Sequence, residues 1–394
     1  MRRISANLTF LAATFLPAAL GPLYAQDKLG GAGFPAVVSV MQKFADDKEV
    51  AGTVTLVANA KELKHLHASG FADIKQNQPL TEDSIFWIAS MSKPVTGVCV
   101  MILVDEGKLS LDSPISEYLP EMKSLKSPDG SSARITLRHL MTHTSGMAEL
   151  AEGEVYTAKT LAEAAERYSK VKVLFAPGSK WQYSQTGINT AARIVEVVSG
   201  KTFDKFLEER VCKPLGMKDT TFYLNDEQMK RLAKSYKRAE NGDLEEAPIF
   251  LLAGKSPTDR NRFPAANGGL FSTAKDYSKF CRMLLQEGTL DGVRILSEKS
   301  VEVFRTPCTG ELTTGFTPGN AWGIGCCVTR APEGVTAMLS SGSFGHGGAY
   351  GTQAWIDPVK GRCYILMTQR SNFPNADASG VRKVFQEEAA KALD

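Results

Sequence analysis

The 394-residue sequence predicts an α+β fold in which a sheet domain, assembled from both ends of the chain, carries an inserted and mostly helical region. Three observations lead there. Strand-like runs follow a first helix, strand character returns only after about residue 320, and helical segments joined by long loops fill the interval. The predicted boundaries are 33–107 and 275–394 for the split sheet domain and 108–274 for the helical domain.

In chain order, residues 35–49 read as an amphipathic helix, and 52–58 and 64–70 as two β-rich runs joined by a turn, hence a hairpin. Residues 91–106 form a mostly apolar helix, ended by Gly107 where a left-handed cap belongs. From about 109 to 270 helices and loops alternate. Residues 322–330, 335–340, 351–356 and 363–368 then read as strands, before a last helix over 378–393.

Apolar residues make up 43% of the chain and charged ones 23%, which excludes disordered, collagen-like and coiled-coil classes. The net charge is only +3, and no tract gathers Lys and Arg with aromatics, so no nucleic-acid partner is expected. Residues 1–25 pattern as a secretory signal peptide: Arg2 and Arg3, an apolar stretch from Leu8 to Leu16, helix breakers at Pro17, Gly21 and Pro22, and Ala25 at the cut. A periplasmic or secreted protein follows, with no integral membrane span after the leader is removed. Seven scattered cysteines are unlike a disulfide framework, and neither a His-Glu-x-x-His nor a Cys-x-x-Cys pattern occurs, so no metal or other cofactor is expected. Ser199-Gly200-Lys201-Thr202 lacks the first glycine of a phosphate loop and reads as a helix C-cap.

Chemistry enters at Phe86-Trp87-Ile88-Ala89-Ser90-Met91-Ser92-Lys93. If Ser90 opens the 91–106 helix, Lys93 lies three residues on and projects from the same face, setting an amine beside a hydroxyl. The helix N-terminus adds positive potential at the oxygen. The spacing alone decides little, because Ser169/Lys172 and Ser272/Lys275 repeat it. Ser169 falls at a polar helix end and Ser272 reads as a helix-starting cap. Only Ser90 stands between an apolar strand and an apolar helix.

Further motifs follow in order: Ile135 to Met147 with His143-Thr144-Ser145-Gly146, Ala176-Pro177-Gly178 leading to Tyr183-Ser184-Gln185, Gly268-Gly269-Leu270, and Gly345-His346-Gly347-Gly348. With Ser90 and Lys93 this set resembles the serine β-lactamase and penicillin-binding clan, nearest to class C β-lactamases, D-alanyl-D-alanine carboxypeptidases and β-lactamase-like (family VIII) esterases. The resemblance covers nearly the whole chain after the leader. It implies an antiparallel sheet flanked by helices, the β-lactamase/transpeptidase-like fold, with Ser90 as acylated nucleophile, Lys93 its partner and Tyr183 a second general base. It also implies that Gly345 to Ala349 edge the pocket as a strand, and that the amides of Ser90 and Ala349 form the oxyanion hole.

Which group takes the proton of Ser90 stays open at this level. A tyrosine with an ordinary pKa near 10 needs roughly 4 kcal/mol of phenolate stabilisation to act at neutral pH. An ammonium at ~4 Å supplies about that much at an effective dielectric of ~20, before desolvation opposes it. Alternatively, a desolvated neutral Lys93 takes the proton and Tyr183 relays it to the leaving group.

Departures from the lactamase pattern bear on substrate choice. Gln185 stands where asparagine is usual, so its amide sits one methylene farther out. His346-Gly347-Gly348 replaces Lys-Thr-Gly, exchanging a permanent cation for a mostly neutral ring and deleting the hydroxyl that would meet a substrate carboxylate. Gln185, His346, Gly347 and Gly348 are the candidate substrate-binding residues, and the changes tilt the expectation toward small esters. The alternatives are a β-lactamase or D-alanyl-D-alanine carboxypeptidase, and a non-catalytic penicillin-binding sensor. Substrate partners are accordingly a small ester, a β-lactam or a short peptide. His143 reads as a loop-ordering histidine, Tyr223 as a packed aromatic, and Trp181 and Trp322 as core.

Overall fold

A computed structural model describes residues 34–394. The signal-peptide stretch 1–25 lies outside the described residues. The centre is an eight-stranded sheet in which Gly52–Asn59 lies between Leu63–Asp73 and Arg362–Met367, with every pairing antiparallel. From Arg362–Met367 the sheet continues through Gln353–Asp357, Phe344–Gly347 and Cys327–Thr329 to Asn320–Trp322. Strands from the two ends of the chain are thus direct neighbours, as Leu56 facing Ile365 illustrates. Such pairing buries β-branched and aromatic side chains on both faces, and Arg362–Met367 is buried throughout.

One face is covered by the helices Pro35–Asp46 and Gly380–Lys391, whose Val37, Met41, Val381 and Phe385 meet Trp355 and Tyr364. Helix Ala274–Leu285 packs on the other face, and the larger core extends from there into the helical region. At the middle of that core runs Ser92–Asp105, whose residues 92–103 are all buried, so it has no solvent side to pattern as amphipathic. Gly97 permits this: a Cβ there would lie 2.3 Å from the carbonyl oxygen of Ile324. Gly107 adopts φ +67°, and Lys108 closes the helix by donating to the Leu103 carbonyl. Gly200 caps Gln185–Ser199 in the same left-handed conformation.

Four expectations need correction. The run 322–330 is not one strand, because Gly323 to Cys326 form a turn in which the Gly323 amide donates to the Cys326 carbonyl and Gly325 takes φ +78°. Residues 335–340 form no strand; Gly334–Thr336 is a 3-10 turn held by reciprocal bonds between Glu333 and Thr336. Strand Phe344–Gly347 stops short of Ala349, which sits in the following turn. Ser272 pairs within a two-stranded ladder, and its neighbour Thr273 caps helix Ala274–Leu285. Cysteines among the described residues are free and, except for the half-buried Cys308, buried.

Candidate active site

Strand Phe86–Trp87 pairs with Phe271–Ser272 and delivers the chain to a 3-10 turn, Ala89–Met91, that feeds helix Ser92–Asp105. Ser90 is in that turn rather than at the helix's first residue. Ala89 is held at φ +46°, an uncommon conformation for a residue with a side chain, which lifts Ser90 out of the helical path. The 268–270 segment fixes the turn. Trp87 Nε1 donates to the Gly268 carbonyl at 2.7 Å, Ile88 N to the Leu270 carbonyl at 3.0 Å, and Leu270 N to Ser92 Oγ at 3.2 Å. Ser90 itself is half-buried and lines a cleft of about 420 Å³.

Lys93 is fully buried. Its Nζ donates to Ser90 Oγ at 3.0 Å and to the Asn267 carbonyl at 2.7 Å. Among the described residues no carboxylate comes within ion-pair distance of it; Glu149 and Asp377 act only from farther away. Desolvation therefore dominates, and the Lys93 ammonium is pushed down to about 7. Nζ also lies over the Tyr183 ring, 4.5 Å from its centroid, so the cation faces the π-cloud of that ring.

Tyr183 approaches from the helical region, just before helix Gln185–Ser199. The start of that helix is pinned by Ser184, whose side chain accepts from Gly187 N, and by Glu149, which accepts from the amides of Gln185 and Thr186. His143 supports the same segment: its buried Nδ1 accepts from Ser184 N at 3.1 Å, and its ring packs 4.5 Å from that of Tyr183. Burial pushes the Tyr183 phenol well above its ordinary value, against the pull of a hydrogen bond with Ser90. The Tyr183 hydroxyl lies 3.3 Å from His346 Nε2. His346 Nδ1 is 2.6 Å from the Gly347 carbonyl, which can only accept, so Nδ1 carries the ring proton and Nε2 accepts from Tyr183. Burial, with Lys93 nearby, lowers His346 to about 3, so this ring is neutral at physiological pH.

The structure thus brings Ser90, Lys93, Tyr183 and His346 into one connected cluster, with Gln185, Gly347, Gly348 and Ala349 on the same cleft. Gln185 does not touch Lys93. Its Oε1 accepts from Asn267 Nδ2 at 2.9 Å, and Asn267 in turn holds Lys93 through its main chain. The sequence motif began at Gly268 and so missed Asn267, and nothing in the sequence marked Asp377, Phe250, Phe316 or Phe373, which also line the cleft. Trp322 packs behind the site against His143 and His346. Tyr223 does not line this cleft: its hydroxyl donates to the Arg262 carbonyl, and it lines a separate cavity of about 680 Å³. No cluster of His, Cys, Asp and Glu able to hold a metal occurs among the described residues.

Comparison with known proteins identifies the family. The Beta-lactamase family model matches residues 37–387. The chain belongs to the beta-lactamase family of serine hydrolases. It is 27% identical to esterase EstB of Burkholderia gladioli, over 84% of this chain and 88% of that protein. It is 26% identical to the D-alanyl-D-alanine-carboxypeptidase/endopeptidase AmpH of Escherichia coli K12, over 73% of this chain and 72% of that one. Among solved structures, EstCE1, a hydrolase with promiscuous acyltransferase activity, superposes with a TM-score of 0.77 at 24% identity, covering 90% of this chain and 97% of that one. The β-lactamase/transpeptidase fold is therefore shared across these proteins.

Proposed function

We propose that this protein is a secreted serine hydrolase that forms an acyl-enzyme on Ser90 and acts on small esters. The observation that carries the proposal is the 3.0 Å contact between Ser90 Oγ and a buried Lys93 amine that, among the described residues, has no carboxylate within ion-pair distance. An amine with a pKa of about 7 is divided between its two forms at neutral pH and is matched to general-base work there. The same burial makes the Tyr183 phenolate costly, so it favours Lys93 as the acylation base and Tyr183 as the relay to the leaving group.

In the proposed cycle, Lys93 accepts the Ser90 proton as Oγ attacks the carbonyl carbon. The oxyanion is received between the amides of Ser90 and Ala349, both on the cleft. Collapse of the tetrahedral species breaks the ester bond, and the departing alkoxide takes a proton delivered from Lys93 through the Tyr183 hydroxyl. Water then attacks the acyl-enzyme with Lys93 again as base, and Ser90 is restored. Neutral His346 accepts from the Tyr183 hydroxyl at rest and gives it up when that hydroxyl donates to the departing oxygen.

Esters are favoured over peptides and β-lactams because Gly347 offers no hydroxyl and His346 no positive charge to a substrate carboxylate. Secretion is supported by the pattern of residues 1–25, and N-terminal sequencing of exported protein should find a start after Ala25. The direct test compares short p-nitrophenyl esters, nitrocefin and D-Ala-D-Ala peptides, using wild type and Ser90→Ala with intact-mass detection of adducts. Ester turnover that exceeds the other two and vanishes in Ser90→Ala is expected. Faster nitrocefin or peptide turnover would replace the ester reading, and a stoichiometric burst without turnover would indicate a sensor.

A further inference from the structure

The space beside Gly347 is already taken. A Cβ on Gly347 would lie 1.9 Å from Asp377 Oδ1 and 2.4 Å from Gln353 Nε2. The place where a side chain on this strand would stand is filled instead by a carboxylate from the segment before the last helix. Asp377 is held there from several sides: Gln353 Nε2 donates to its Oδ1 at 3.2 Å, its amide donates to Asn375 Oδ1, and Arg382 Nη1 donates to its backbone carbonyl at 2.5 Å. Arg382 is fully buried with its guanidinium 4.2 Å over the Trp355 ring; it is not among the residues lining the cleft, although its charge acts on Asp377. Among the described residues lining the cleft, Asp377 is the only one that carries a carboxylate, and none is Lys or Arg.

Position in the cleft assigns Asp377 to one end of the substrate. In the reaction proposed above, the departing oxygen is protonated through the Tyr183 hydroxyl, so the leaving group lies beside Tyr183. That hydroxyl touches His346, whose chain neighbour Gly347 is the residue Asp377 covers. We infer that Asp377 is a specificity determinant for the leaving group, rejecting alcohols or amines that carry a carboxylate and accepting neutral or ammonium-bearing alcohols. This inference rests on the hydrolase reading and sharpens it to a substrate class: esters of uncharged or amino-bearing alcohols, with C-terminal D-alanine, whose departing amine bears a carboxylate, disfavoured.

The experiment uses three phenyl acetates with a carboxylate, a carboxamide or an aminomethyl group at the meta position of the phenol, assayed at pH ~8, well above the ordinary carboxylate range because burial raises the Asp377 carboxyl. Each kcat/KM is divided by the uncatalysed rate and by the value for the carboxamide ester. Wild type should prefer the ammonium ester to the carboxylate ester by at least about tenfold, and Asp377→Asn should shrink that ratio by about tenfold. Raising salt to about 0.5 M should narrow the wild-type ratio, since ions screen a partly exposed charge. A ratio unchanged in Asp377→Asn, or a wild-type preference for the carboxylate ester, overturns the inference. If the variant does not fold, the salt series decides, and a wild-type ratio indifferent to salt overturns it equally. Absence of Ser90-dependent turnover of the carboxamide ester would instead sink the hydrolase reading itself.

Discussion

The same Ser-x-x-Lys spacing occurs at Ser90/Lys93 and at Ser272/Lys275, and the two places could hardly differ more. Lys93 is fully buried, with no carboxylate of the described residues within ion-pair distance, and its amine rests on Ser90 Oγ. Lys275 is part-exposed, bridges Asp83 at 3.0 Å and Glu82 at 3.4 Å, and is held above its ordinary value despite partial burial. Ser90 opens onto the cleft, whereas Ser272 is buried with its hydroxyl 2.8 Å from that of Thr220. Spacing alone does not set the amine on the hydroxyl, for Lys275 reaches Asp83 and not Ser272; loss of water and of counter-charge turns a lysine into a base.

The comparison can be broken first at its strongest point. Ser90→Ala and Lys93→Ala should each lower kcat/KM for a short ester by about a thousandfold or more, read by initial rates on protein of native thermal stability. Tyr183→Phe removes the relay but keeps the ring under Lys93, and a loss of about a hundredfold in kcat is expected. In wild type, kcat/KM should rise with pH through an inflection near 7, because the neutral amine is the active form and is lost as pH falls through the Lys93 pKa. Below that point the rate should drop about tenfold per unit, and a profile that falls above 7 would mean that the cation is required. At the other site the effects shrink and move from rate to stability. Ser272→Ala should cost about 1 kcal/mol in denaturant unfolding, the worth of a buried hydroxyl bond, with ester turnover retained. Lys275→Ala should change stability by less than about 0.5 kcal/mol, as screened surface pairs do.

What could be read from the sequence followed the range of the interaction. The buried helix after Ser90, its Gly107 cap and the Ser90–Lys93 pair depend on residues within a few positions of one another, and periodicity reports them. Tyr183 and the pocket-edging strand, Phe344–Gly347, came only through family likeness, since no local pattern ties residue 183 to residue 90. Asn267 and Asp377 stayed hidden for a different reason. Asn267 works through its carbonyl oxygen, which every residue has, and Asp377 matters because an absent side chain at Gly347 leaves room for it. The run 322–330 differs from a single strand because Gly323 and Gly325 turn the chain between two strands that pair with each other, and 335–340 forms no strand because Gly334 opens a 3-10 turn there.

Antiparallel pairing of Gly52–Asn59 with Arg362–Met367 has a temporal consequence. A chain made from its N-terminus presents the hydroxyl of Ser90 early, yet the neighbour that completes the sheet, and the wall contributed by residues 345 to 349, emerge only near the end of synthesis. Acylating power should arise at once and late, when the final quarter of the polypeptide is in place. A ribosome-bound fragment lacking it would carry the reactive serine without its reactivity.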